Sequence, residues 1–365
     1  YKAAGWYALY IRNFPHDAQT ASMNFLMAEA LYDGRYYVEA AAEYEKAAYA
    51  YPAHNKSAEA GYAALLSYTA IQKAQPERYA PLRQQAISSA LRFSEQFPND
   101  PRVPAVLTKL ADELFQANDY LRAASVSQKL VSRNLQDPKL ARTAWIVLGH
   151  SEFELKNYAQ AERAYRESLR YVTSKDQQYA QIYDRLAASI YKQGENERNA
   201  GNFSAAVAHF LRVAQVTPAS PIRATADFDA ATSLISMKQY SRASQLLEEF
   251  RRNYPTHALN RSINEKLALI YSETGQSGRA AREMELLARH NSNDPQYSGN
   301  LLWQAATYYE KADMHKDAQR VYAQYVQQNP QPLERAMEGR QKLAEYARRA
   351  GDSKAWGNWL QEIIR

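Results

Sequence analysis

The chain has 365 residues, 46% hydrophobic and 23% charged, with 45 Lys plus Arg against 39 Asp plus Glu and no cysteine. That composition supplies a sizeable core, and the lack of cysteine removes disulfides, thiol catalysis and cysteine-based zinc sites. A net charge of +6 over this length is a mild basic balance, so Arg251-Arg252 and Arg348-Arg349 read as solvated helix ends rather than a nucleic-acid surface. No apolar run approaches the roughly 18 residues that span a bilayer.

In chain order the sequence predicts one helical unit after another. An anchoring alanine recurs at Ala3, Ala40, Ala86, Ala123, Ala161, Ala206, Ala243, Ala280 and Ala318. Neighbouring anchors lie roughly 37 residues apart, with two longer steps of roughly 46 and 45. Four residues after the anchor comes a large side chain at Tyr7, Tyr44, Tyr165, Phe210, Leu247, Met284 and Tyr322. Seven after it come Tyr10, Ala47, Phe93, Leu130, Val213, Phe250, Leu287 and Tyr325, so all three positions share one helix face. A proline then ends the helix at Pro15, Pro52, Pro98, Pro218, Pro255 and Pro330.

Twelve residues before the anchor a second small residue recurs, at Ala28, Ala111, Gly149, Ala231, Ala268 and Ala306, on a preceding helix. Short polar turns such as DGRYY, LKNY and AGNF separate the two helices. Each unit is therefore two antiparallel helices whose small facing residues let the backbones approach, and stacked units bury what one hairpin leaves open. The long steps are insertions. Residues 72–83, QKAQPERYAPLR, carry Pro76 and Pro81 and read as a loop, whereas 192–202 lacks proline and suits two extra helical turns.

Catalytic chemistry finds no foothold. His16, His54 and His257 fall in the post-proline linkers and read as caps or loop residues, and His150 has no second histidine at metal-ligand spacing. No HExxH, GxSxG or glycine-rich phosphate loop occurs. Glu43 with Glu45, Glu152 with Glu154 and Glu248 with Glu249 read as solvated helix faces. The expectation is no catalytic residue, no metal and no cofactor. Most of the 28 tyrosines fall in packing registers, leaving Tyr36, Tyr49 and Tyr51 as open surface contacts.

Trp145, Leu148-Gly149, Tyr158, Ala161 and Tyr165 together resemble the tetratricopeptide repeat signature, with Glu152 departing from its usual aromatic. The resemblance implies an all-α solenoid, a right-handed superhelix of antiparallel helix pairs. Residues 1–365 would form a single continuous array of about nine repeats, the first and last atypical or truncated. The unit is about three residues longer than the usual 34, with the excess after the proline, a style that resembles periplasmic proteins of the BamD and YbgF type. Residues 186–224 also resemble tetratricopeptide proteins assigned to TonB systems.

The resemblance implies a non-enzymatic scaffold of the bacterial envelope that binds a protein or peptide, with no nucleic acid, in the periplasm. Because the chain opens with the second helix of a hairpin, it is expected to belong to a larger polypeptide, membrane-anchored through sequence outside the chain. The alternatives are a scaffold for exopolysaccharide export or synthesis, and the non-catalytic solenoid of a larger cell-wall enzyme. In this family the first helices line the groove. Counting back from each anchor, its expected lining is Phe25, Glu29 and Tyr32; Thr108, Asp112 and Phe115; Ile146, His150 and Phe153; Phe228, Thr232 and Ile235; and Trp303 with Thr307.

Overall fold

The hairpins are set by their turns. In a computed structural model describing residues 2–133, 135–328 and 332–364, eight turns each place one residue in the left-handed region: Arg35, Asn118, Lys156, Gly201, Lys238, Gly275, Asp313 and Gly351. Behind each, an N–H reaches back to the carbonyl five residues earlier, as from Tyr36 to Leu31, Asn157 to Glu152 and Gln239 to Leu234. This pairing satisfies the last carbonyls of the first helix and reverses the chain. Pro330, expected to end a helix, lies outside the described residues.

Among the described residues the regular elements are all helical. The chain divides into two compact units, residues 1–189 and 190–365. The first holds α1 (Lys2–Asn13) and the hairpins α2 (Thr20–Asp33) with α3 (Tyr37–Tyr49), α4 (Ser57–Ala74) with α5 (Pro76–Gln96), α6 (Val103–Gln116) with α7 (Tyr120–Val131), and α8 (Pro138–Glu154) with α9 (Tyr158–Ser168). The division falls inside α10 (Tyr179–Asn199). The second unit continues with α11 (Phe203–Val216), then α12 (Ile222–Ser236) with α13 (Tyr240–Asn253) and α14 (Asn260–Glu273) with α15 (Ser277–His290). Last come α16 (Pro295–Lys311) with α17 (His315–Gln328) and α18 (Leu333–Arg349) with α19 (Ser353–Ile364).

The anchors lie where the helices touch. Ala40, Ala123, Ala161, Ala206, Ala243, Ala280 and Ala318 are fully buried and Ala86 nearly so. Ala3 is exposed, and Ala4 is the buried residue of α1 instead. Beside the anchors, the rings four residues on fill the hairpin centres: Tyr165, Phe210 and Tyr322 have no exposed surface. A Cβ on Gly149 would meet the Tyr165 ring at 2.8 Å and one on Gly194 the Phe210 ring at 2.6 Å, so a first-helix glycine is what admits each ring.

The two insertions differ from each other less than expected. The 192–202 excess lengthens α10, as its composition suggests. Residues 72–83 are not a loop: they extend α4 and α5, separated by Gln75 alone. Pro76 occupies the first turn of α5, where no N–H is needed, and Pro81 gives up a single bond near the helix start.

Two further expectations are corrected. Glu43 accepts from the Asn24 amide at 2.9 Å within its own hairpin, while Glu45 accepts from the Ser89 hydroxyl and Glu248 from Tyr271 at 2.5 Å and Arg279 at 2.6 Å in neighbouring hairpins, so these carboxylates hold helices together instead of lining a solvated face. Tyr49 stacks on Phe97 at 6.0 Å under the Arg92 guanidinium, and Tyr51 donates to Asn24 at 2.9 Å; both serve packing, while Tyr36 is exposed. His54 and His257 do cap loops, accepting the N–H groups of Lys56 and Leu259.

Candidate protein-binding face

First-helix side chains separated by three or four residues share a face, and the structure gathers the expected lining residues into small clusters. On α2, Phe25 is buried edge-on against Tyr44 with Lys56 over its ring at 5.4 Å. Glu29, exposed, accepts the Tyr44 hydroxyl at 2.7 Å, and Tyr32 packs on Tyr37 and Tyr44.

Next in the same unit, Phe115 meets Tyr120 at 5.4 Å and His150 at 5.7 Å, bringing α6 and α8 together. His150 shares a 2.7 Å hydrogen bond with the Tyr165 hydroxyl. Burial, with the nearby Arg185 cation, lowers the His150 pKa to about 4, so its imidazole is neutral near pH 7. Phe153 packs on Tyr158 and lies under the Arg185 guanidinium at 5.4 Å. Thr108 is buried with its hydroxyl on the Pro104 carbonyl, Asp112 is exposed and Ile146 is half-buried.

In the second unit Phe228 and Ile235 are half-buried, Lys266 sits 5.3 Å over Phe228, and Thr232 donates to the Phe228 carbonyl at 3.0 Å. Trp303 is held edge-on by Tyr322 and Tyr325, each at 5.3 Å, with Arg335 above it at 5.8 Å. Thr307 is exposed and donates to the Trp303 carbonyl at 3.0 Å. Arg335 also donates to the Asn300 amide oxygen at 2.6 Å.

Counting from the anchors misses a further cluster. A cavity of about 270 Å³ opens between α4, α5 and α6, walled by Tyr62, Leu65, Leu66, Ala86, Ala90, Ala105, Val106 and Leu110. At its rim the Lys109 ammonium lies 2.5 Å from the Thr69 hydroxyl and 3.6 Å from Glu113, and Tyr79 donates to Glu113 at 3.1 Å. Burial and Glu113 raise the Tyr79 pKa, keeping this phenol a donor. The inserted residues separate the lining positions of α4 from Ala86. Measured from the linker prolines instead, Phe25, Tyr62, Thr108 and Phe228 each lie ten residues after Pro15, Pro52, Pro98 and Pro218, which puts Tyr62, Leu66 and Thr69 in the lining register.

Residues 108–177 and 300–332 match two tetratricopeptide repeat family models. The chain carries tetratricopeptide repeats. Residues 183–263 match the family YfiO, described as an outer membrane lipoprotein. No curated protein matches the chain. Solved structures similar to it include PilW, a type IV pilus biogenesis factor, at 18% identity over 65% of this chain and 98% of that one, with a TM-score of 0.28. Pseudomonas aeruginosa PilF matches at 17% over 64% and 95%, with a TM-score of 0.28. A tetratricopeptide repeat protein from Parabacteroides merdae matches at 15% over 78% and 97%, with a TM-score of 0.31. Tetratricopeptide arrays are protein-interaction scaffolds, and no described helix here is long and apolar enough to cross a membrane.

Proposed function

We propose that the chain is a non-enzymatic scaffold of the bacterial envelope that captures a partner protein or peptide segment on the faces of its first helices. The observation that carries this reading is the set of half-buried aromatic side chains, Phe115, Phe153, Phe228 and Trp303, left on those faces after the hairpins have packed. Amphipathic rings held on rigid helices are favourable anchors for a partner, because little side-chain entropy is lost on binding. The match over 183–263 to YfiO, a family described as an outer membrane lipoprotein, supports the envelope as the setting.

The test is capture from envelope extracts by the wild-type chain and by a Phe153→Ala, Phe228→Ala double variant. Losing two anchors should weaken capture of a specific partner about tenfold or more. Equal capture by a variant whose circular dichroism and melting match the wild type would remove the reading.

A further inference from the structure

The cavity between α4, α5 and α6 coincides in register with a site that other hairpins fill themselves. In those hairpins the residue four after the anchor is a ring that packs on one fixed first-helix position, while its hydroxyl reaches a glutamate at a position that varies. Tyr44 packs on Phe25 and donates to Glu29; Tyr322 packs on Trp303 and donates to Glu310 at 3.0 Å. A lysine of the following first helix, Lys342, lies 5.7 Å from the Tyr322 ring. In the α4–α5 hairpin the same register carries Ala90. Its surroundings keep the pattern: Tyr62 stands where Phe25 does, and Lys109 comes from the following first helix.

We propose that this cavity is a receptor for an aromatic side chain, Phe or Tyr, presented by the partner segment. It rests on the reading of the first-helix faces as the partner's binding surface and deepens it. The partner's ring takes the place of the ring that Tyr44, Tyr165, Phe210 and Tyr322 supply from within their own hairpins. Apolar walls exclude water from its faces, and the Lys109 ammonium adds an attraction to its π-system. Glu113, which already accepts from Tyr79, is the acceptor for a tyrosine hydroxyl, as Glu29 and Glu310 are for Tyr44 and Tyr322.

The experiment uses the full chain with labelled Leu and Val methyl groups and p-cresol as the probe, with n-hexanol as an aliphatic control. Ring-current shifts should appear at Leu66 and Val106 on adding p-cresol, and Ala90→Phe, which restores an internal ring, should abolish them. Ala105→Trp, which covers the exposed rim of the cavity without entering the core, should abolish them too, and it decides the matter if Ala90→Phe does not fold. Shifts that persist in the folded variants, or none in the wild type, would overturn the proposal, as would a higher affinity for n-hexanol than for p-cresol. Envelope capture separates the two readings. Capture that falls in the Phe153, Phe228 variant but is unchanged in Ala90→Phe keeps the face and eliminates the cavity.

Discussion

The α8–α9 and α4–α5 hairpins solve one packing problem in opposite ways. In α8–α9 the first helix contributes Gly149 and the second Tyr165, whose ring is fully buried against that glycine and hydrogen-bonded to His150. In α4–α5 the register is inverted: Leu65 stands where Gly149 does and Ala90 where Tyr165 does. Leu65 lines the cavity without closing it. The α4–α5 pair also lacks the left-handed turn, since Gln75 alone joins two lengthened helices. A repeat can thus keep its anchor and helix pairing while giving up its central ring, and the result is a hairpin that stands but is open at one face.

The sharpest break of this comparison is to open the filled hairpin. Tyr165→Ala removes a fully buried ring and strands the His150 hydrogen bond; we expect a loss of about 3–5 kcal/mol in chemical denaturation of the first unit. A loss below 1 kcal/mol would mean that internal rings do not hold hairpins together. Next comes overfilling. Ala243→Leu, at a fully buried anchor in α13, should cost about 1–3 kcal/mol, and an unchanged melting temperature would contradict the register. Smaller again is closing the open hairpin: Ala90→Phe should gain about 0.5–2 kcal/mol by filling the cavity. A loss of stability there would show that the α4–α5 core is complete as it stands.

The smallest effects are pH dependences of opposite sign in the two units. His150 has its pKa lowered to about 4 by burial and the Arg185 cation, so the unfolded chain binds the proton first. Its contribution is present above its ordinary value near 6.5 and is lost as pH falls through about 4. Asp227 is raised to about 6 by burial, which outweighs Arg223 at 3.7 Å, and Glu249 adds to the rise. Its contribution is present below the ordinary carboxylate range and is lost as pH rises through about 6. Acidification from pH 6.5 to 4.5 should therefore destabilise His150→Gln less than the wild type and Asp227→Asn more, read by urea unfolding at each pH.

Much of the fold is written in the sequence because its rules are local. An alanine at a helix contact, a ring four residues on and a proline terminator each act within one hairpin, so their spacing survives from unit to unit. Relations between hairpins are not written there in the same way. Pro76 and Pro81 suggested a loop, but proline is tolerated in an early helical turn, and the helix continues through both. Counting the lining from anchors skipped α4, since the inserted residues lie between its lining positions and Ala86; counting from Pro52 recovers Tyr62 and Leu66. Glu45, Glu248 and Tyr49 read as surface residues because their partners Ser89, Tyr271 and Phe97 lie in neighbouring hairpins, beyond the reach of helical periodicity.

The central claim is that one hairpin leaves its ring to be supplied by a partner. A crystal structure of the chain soaked with 4-bromophenol tests it most directly, because anomalous scattering locates the bromine independently of the fold. We predict a bromine peak enclosed by Tyr62, Leu66, Ala90 and Val106, with none in the Ala90→Phe variant. A bromine bound elsewhere on the first unit, with that cavity empty, would contradict the account.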